Sequence, residues 1–280
     1  MEAPGRPRSF LEQLADPDRP VIDCGKVVGV FAHPDDETIA MGGQLDRLRE
    51  IRIVHVTDGA PAGMEDAKAL GFARRDDYAA ARRRELEAAL ARAGVGAEAL
   101  HSLGAIDQKA PHELGLLARR LAAHLRMWEI EIVITHAYEG GHPDHDATAF
   151  LVELARRMIA RNGGRTPVVI ECPLYHADAG EWVRGAFAGR SPSTGPEISV
   201  PLDARTAQRK QKMMAEYVTQ SRTLAPFPLG PERFRPAPAY DFSALPNGGE
   251  LLYENFDWGI DRATWLRLAR EAERELEPWR

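Results

Sequence analysis

The sequence predicts an α/β fold: a Rossmann-like open, mostly parallel sheet with helices on both faces, followed by an irregular C-terminal extension. Three observations predict it. Apolar runs of strand length recur at 26–32, 51–57 and 131–135, the pattern of strands buried on both faces. Segments with helical periodicity separate them, and such alternation implies parallel pairing. The length of 280 residues suits one large domain with an appendage.

The elements follow in order. Residues 1–20 read as an N-terminal arm with a short helix. The first strand spans 26–32, a helix 37–50, and the next strand 51–57. A loop rich in Gly, Pro and Ala leads to an amphipathic helix at 77–93, closed by Gly94. A short strand at 99–103 and a helix at 112–128 precede the third buried strand, 131–135. The helix at 144–161 is stopped by Asn162-Gly163-Gly164, and a further strand occupies 167–174. Periodicity weakens over 180–201, and a helix is expected at 204–219. The proline-rich stretch 224–246 reads as a long ordered loop packed on the domain, before a terminal amphipathic helix at 261–277. The expected organisation is an arm over 1–20, an α/β catalytic domain over 21–200, and a C-terminal extension over 201–280 packed on that domain. No GxGxxG follows the first strand, so dinucleotide binding has no support.

Composition excludes several classes. A hydrophobic fraction of 44% with 28% charged residues is that of a globular protein. The formal net charge of -6 argues against a nucleic-acid partner, which needs a phosphate-neutralising surface. No apolar run approaches the ~20 residues needed to span a bilayer, and the polar, proline-rich start lacks a secretory signal. The expected location is cytoplasmic, with no membrane partner. Cys24 and Cys172 lack CxxC spacing and read as reduced, buried thiols.

Two motifs carry chemistry. Ala32-His33-Pro34-Asp35-Asp36-Glu37 follows the first strand at its carboxyl end, where open α/β sheets bind ligands. His33 and Asp36, three apart on a tight turn, can converge on one point, and imidazole with carboxylate suits Zn²⁺. The second motif runs from His136 to Asp146 and contains Gly140-Gly141-His142-Pro143-Asp144-His145. It follows the third buried strand and opens a helix. His142 and His145 can face the same cavity from loop and first turn. A catalytic zinc site wants three protein ligands and one open position. A single His-Pro-Asp turn is explained by capping, with Asp36 or Asp144 as N-cap; two at strand-to-helix junctions are not.

The pair AHPDDE and GHPDH resembles the LmbE-like, or PIG-L, zinc N-deacetylases over about the first two thirds of the chain. The C-terminal third matches no pattern of the family. The resemblance implies one Zn²⁺ per chain, held by His33, Asp36 and His145; Fe²⁺ suits the same nitrogen and oxygen ligands. It makes Asp35 the general base and gives His142, in protonated form, the oxyanion or the leaving amine. Asp144 would orient the His142 imidazole. Weaker matches, Arg82-Arg-Arg-Glu85 and Leu103-Gly-Ala-Ile-Asp107, cast Arg82 and Asp107 as sugar-hydroxyl contacts, against a solvated helix face for Arg82. Some relatives carry a tyrosine where this chain has Gly140, and Tyr138 would substitute for it in substrate binding.

The implied reaction is hydrolysis of the acetyl or other acyl group from the nitrogen of an amino sugar or similar small molecule. Alternatives are an amidase acting on a thiol conjugate or other N-acyl compound, and a non-catalytic sugar-binding protein. Asp35 and His142 oppose the last, since a binder needs neither base nor acid. Metal-dependent phosphoester hydrolysis would recruit a second ion, for which convergent carboxylates are too few. His55 and His101 read as packed core histidines, and His112 and His124 as surface or capping residues. His136 is expected to line the pocket; His176 follows a strand end from which the site is reachable, but it is not taken as a site residue. Trp258 and Trp265 read as core anchors. Oligomeric state and the exact substrate have no code here.

Overall fold

Val27–Phe31 (β1) is buried at every position, as its VVGVF sequence requires of a central strand. In the computed structural model, which describes residues 9–189 and 195–276, it is flanked on both sides by parallel neighbours. The other strands of this sheet are Arg52–Pro61 (β2), Leu100–Asp107 (β3), Ile132–His136 (β4) and Val168–Cys172 (β5). Tyr175–Asp178 (β6) and Glu181–Arg184 (β7) form a separate hairpin, while Ile198–Val200 (β8) and Glu232–Pro236 (β9) extend the sheet. Its order is β8-β9-β5-β4-β1-β2-β3. The five strands from β5 to β3 are parallel, whereas β9 runs antiparallel to β5 and β8 antiparallel to β9.

Helices cover both faces because successive strand residues point to opposite sides. Val28 and Val30 of β1 share a core with Leu114–Met127 (α5), Pro143–Arg161 (α6) and Arg262–Leu276 (α9). Val27 and Phe31 point the other way. They pack with Phe10–Leu14 (α1), Asp36–Met41 (α2), Arg75–Ala91 (α4) and Ala204–Met214 (α7). Two short helices, Glu65–Ala69 (α3) and Ser221–Leu224 (α8), complete the set among the described residues. None of these helices is long and apolar enough to cross a membrane.

Several expected elements come out differently. The helix expected over 37–50 ends at Met41, and a single turn at Leu45–Arg47 follows. Gly43 explains the break: its N–H donates to Glu232 Oε1 at 2.7 Å, and a Cβ there would meet Leu202 Cδ2 at 2.5 Å. The helix expected over 204–219 likewise ends at Met214. The proline-rich stretch is not all loop, because it contains β9. That strand is hard to read because two of its three buried positions are charged, with Phe234 the one apolar member: Glu232 pairs with Lys210, and Arg235 with Glu171. The C-terminal extension therefore contributes a strand to the central sheet. Residues 1–8 of the expected arm and Glu277 of the expected last helix lie outside the described residues. From Phe10 the arm is core, since Phe10 and Leu14 are buried.

Candidate active site and metal centre

The strand order decides where a site forms. Chain progression runs outward from β1 in one direction to β2 and β3, and in the other to β4 and β5. The reversal leaves a crevice at the carboxyl ends of β1 and β4, where ligands of such sheets bind. Both His-Pro-Asp motifs leave from those ends. Val30 pairs in register with Thr135, so the turn at His33 and the loop after His136 emerge side by side. The second loop is held by Asp146, whose carboxylate accepts the amides of Glu139 and Gly140 at 3.3 and 3.0 Å. Its tight course requires glycine: a Cβ on Gly141 would meet the Tyr175 carbonyl oxygen at 1.9 Å.

His33, Asp36 and His145 are buried and converge. His33 Nδ1 lies 3.2 Å from His145 Nε2 and 3.3 Å from Asp36 Oδ2, and His145 Nε2 lies 3.3 Å from Asp36 Oδ1. A tetrahedral ion with bonds of about 2.0–2.1 Å separates its ligands by about 3.3–3.4 Å. The donor spacing and the nitrogen-oxygen donor set therefore fit a divalent ion such as zinc. Other convergent sets overlap this one: His33 with His142 and His145, Asp36 with His136 and His145, and His33 with Asp107, His142 and Asp144.

Charge points the same way. Burial opposes protonation of His33, but the Asp107 and Asp36 carboxylates outweigh it and lift its pKa well above the usual value. Burial likewise opposes ionisation of Asp36, and the His145, His33 and His136 rings overcome it and hold the carboxyl well below the usual range. Negative charge concentrated around these rings favours a cation among them. Burial, reinforced by His33 and His145, keeps His142 well below the usual imidazole value. Burial brings His145 down to about 4.

Asp35 stands beside this cluster with φ at 152°, a region strained for any residue but glycine and typical of functional sites. Burial pushes its carboxyl up to about 8, against the opposing Arg82 charge. Arg82 Nη2 donates to Asp35 Oδ2 at 2.9 Å and to the Pro34 carbonyl at 3.0 Å, and Nη1 to the Gly59 carbonyl at 2.6 Å. The amide of Asp35 donates to Glu37 Oε2 at 3.2 Å. Glu37, fully buried, also accepts from the Tyr217 and Thr38 hydroxyls and pairs with His55. Glu37 escaped the sequence reading, although it stands inside the first motif. The partners that explain it are 18 and 180 residues away.

The structure moves several expected residues. Arg82 is 4% exposed, so it is no solvated face, and its two Nη groups donate to Asp35 and two carbonyls, while Nε has no partner. Asp107, at the end of β3, lies 3.2 Å from His33 Nε2 on the cleft wall. Asp144 does not orient His142 through its carboxylate. Its Oδ2 accepts the Gln108 amide and lies 3.2 Å from His33 Nε2, and its Oδ1 accepts the Ala110 amide. It is the Asp144 backbone N–H that donates to His142 Nδ1, at 3.1 Å. Tyr138 is not a substrate contact: its hydroxyl accepts from Trp265 Nε1 and donates to the Ala244 carbonyl, inside the core facing α9. His136 accepts the Ala32 amide and stacks on His145 behind the cluster. His176 turns to Glu139, away from the cleft. Trp265 is a core anchor, whereas Trp258 lines the cleft.

That cleft has a volume of about 380 Å³ and opens over His33, Asp35, Asp36, His142 and His145. Its size is that of a small-molecule site.

Residues 28–156 match the family model described as PIG-L, GlcNAc-PI de-N-acetylase. Two curated proteins, from Mycobacterium sp. strains KMS and JLS, are each a 1D-myo-inositol 2-acetamido-2-deoxy-alpha-D-glucopyranoside deacetylase. Each is 33% identical over 148 residues, covering 44% of this chain and 47% of its own. The chain thus spans about half the length of the curated relatives it matches. Among solved structures, the A40926 pseudoaglycone deacetylase Dbv21 superposes with a TM-score of 0.56 at 21% identity, over 72% of this chain and 85% of that one. GalB, the 4-carboxy-2-hydroxymuconate hydratase of Pseudomonas putida KT2440, does so with 0.50 at 20% identity, over 70% and 80%. These two likenesses establish the fold, which hosts more than one reaction.

Proposed function

We propose, from the premise that residues 28–156 form a PIG-L (LmbE-like) family domain, that the protein is a metal-dependent hydrolase. It removes the acetyl group from the nitrogen of an amino-sugar derivative or a similar small N-acyl compound. The observation that carries the reading is the mutual approach of His33, Asp36 and His145 to 3.2–3.3 Å, with one Asp36 oxygen facing each ring, next to a strained, buried Asp35.

His33, Asp36 and His145 would hold one ion, zinc or iron(II). Such an ion supplies Lewis-acid polarisation of the acyl oxygen and acidification of water. The chain's own residues do the rest. Asp35 takes the proton of the attacking water, and its pKa of about 8 sets it near neutral pH, where a general base works best. Arg82 fixes the carboxylate in place. His142 Nδ1 accepts the Asp144 amide, so the ring proton sits on Nε2. Burial keeps that ring neutral, and it serves as a neutral donor to the developing oxyanion, in place of the protonated imidazole expected from the sequence. Asp35 then returns its proton to the departing nitrogen, since an amide anion is a very poor leaving group. Acetate and a free amine result.

The experiment is to count metal per chain and follow amine release from N-acetylglucosaminyl compounds with and without chelator. One metal with chelator-sensitive release is expected. Asp35→Asn should keep the metal and lose about 10²–10⁴-fold in turnover. A chain that takes up no metal after reconstitution, or an Asp35→Asn variant near the wild-type rate, would overturn the reading. Metal without release from acetyl sugars moves the substrate to other N-acyl compounds, thiol conjugates among them.

A further inference from the structure

The rim of the cleft is built by parts of the chain outside residues 28–156. From the ligand cluster, aromatic rings run outward and back in a closed path. His142 meets Trp258 at 4.6 Å, and Trp258 stacks on Phe256 at 4.4 Å and 11°. Phe256 meets Trp182 edge-on at 5.9 Å, Trp182 stacks on Tyr175 at 5.5 Å and 14°, and Tyr175 meets His145 at 5.2 Å. Tyr175 and Trp182 come from the β6–β7 hairpin, and Phe256 and Trp258 from the loop before α9. Trp182 and Phe256 remain 40% and 38% exposed. Large aromatic faces left open beside a cleft mark a surface that something covers.

The charged groups of these two segments and of α8 that line the cleft are cationic, while Asp257 and Glu181, next to the wall in sequence, do not line it. Arg184 lies with its guanidinium 4.6 Å over the Trp182 ring. It lines the cleft, as does Arg222. Neither side chain makes an ion pair or hydrogen bond with another described residue, and Arg184 Nε is buried without a partner. The carboxylates of the cleft lie elsewhere. Asp35, Asp36 and Asp107 belong to the inner cluster, and Asp66 of α3 is close to Tyr78. Guanidinium groups donate and never accept. A polyol, whose hydroxyls need acceptors as well as donors, matches this rim poorly. A flat apolar group bearing an anion matches it: the face stacks on the rings, and the anion takes the free guanidinium donors.

We propose that this rim is a subsite for an anionic aromatic substituent on the N-acyl substrate, with Trp182, Phe256 and Trp258 as the stacking wall and Arg184 and Arg222 as the anion contacts. The inference rests on the deacylase reading of the inner cluster and deepens it. The matched domain supplies amide cleavage, and the hairpin and C-terminal loop select what the amide is attached to.

The test uses the full metal-loaded chain and two readouts. Tryptophan fluorescence measures binding, because Trp182 and Trp258 are themselves the reporters, and amine release measures turnover. The probes are the methyl, phenyl and 4-carboxyphenyl β-glycosides of N-acetylglucosamine. N-(4-carboxybenzoyl)glucosamine places the same aryl carboxylate on the acyl half instead. The 4-carboxyphenyl glycoside is expected to bind at least tenfold tighter than the methyl glycoside, with phenyl between. In Trp182→Ala the phenyl-over-methyl ratio should fall toward one. In Arg184→Met and Arg222→Met the carboxyphenyl-over-phenyl ratio should fall, as it should at high salt. Gain confined to the benzoyl compound supports the subsite and assigns it to the acyl half. Equal binding of aryl and methyl probes on both halves overturns the subsite, whatever the turnover. Aryl preference in binding with no amine release from any probe would instead sink the deacylase reading alone.

Discussion

Replacing Arg82 by methionine tests the link between the fold and the base. The side chain keeps its length and loses its charge and donors. Arg82 and Asp35 are 4% and 5% exposed, and removing one member of such a buried pair costs about 3–5 kcal/mol. At about 2–4 °C per kcal/mol for a chain of this size, Tm should fall on the order of 10 °C. The second effect is electrostatic. A unit charge about 4 Å from a carboxylate at an effective dielectric near 20 is worth about 4 kcal/mol, or about 3 pKa units. Burial already lifts the Asp35 carboxyl to about 8 against that charge. Its loss drives the pKa higher still, so less of the base is ionised at neutral pH. Above the working pH, each unit of rise removes tenfold of the ionised form. kcat/KM at pH 7 should therefore fall about 100–1,000-fold, with the acid limb of the profile moved to higher pH and activity partly restored near pH 9. A cation in the cluster would lower Asp35 alike in both proteins, so the displacement of the acid limb survives, and the loss is read at a pH below the wild-type limb. Arg82→Lys keeps the charge as a single point that cannot serve three acceptors. It should leave the acid limb near its wild-type position and lose about tenfold in kcat, of the order expected when a positioning contact is misplaced. A pH–rate profile for Arg82→Met with an unmoved acid limb, or a loss below threefold, would refute the assignment of Arg82 to Asp35.

Further outcomes follow from the same geometry. His145→Ala and Asp36→Ala each remove one member of the donor set, so bound metal measured after dialysis should drop from one per chain to near none, while Tyr138→Phe leaves the metal count unchanged. Lys210 donates to Glu232 and to the Ile39 carbonyl, both at 2.7 Å, with pair side chains 1% exposed. Lys210→Met should therefore cost about 3–5 kcal/mol in denaturant unfolding, and Lys210→Met with Glu232→Gln should recover part of it. Cys24, raised to about 12 by burial, and Cys172, raised well above the usual thiol value by the same cause, are free and buried. A thiol reagent at pH 8 should find essentially none in the native protein and both after denaturation, because a thiol held protonated is a poor nucleophile.

Local pattern carried much of this protein. The runs at β1, β2 and β4 and the long helices α4, α5 and α6 lie within a few residues of where periodicity puts them. Both motifs sit at strand-to-helix junctions, as their flanking sequence says. The misses share one cause. β9 buries Glu232 and Arg235 in ion pairs with Lys210 and Glu171 around one apolar residue, Phe234, so hydropathy shows mostly charge. Arg82 sits in a run of three arginines, and nothing local says which turns inward. The carboxylate of Asp144 adjoins His142 in sequence, yet it finds the amides of Gln108 and Ala110.

The sequence by itself determined the fold class and the chemistry on offer, because strand and helix periods and the residue types of a ligand turn are local properties. Tertiary structure alone decided what those residues face. Placing β4 beside β1 brought two motifs more than 100 residues apart to a 3.2 Å contact. Folding the β6–β7 hairpin and the loop before α9 over that point set aromatic rings and two guanidiniums at the mouth. Contacts of that kind are fixed by strand order and packing between distant segments, which no short-range period encodes.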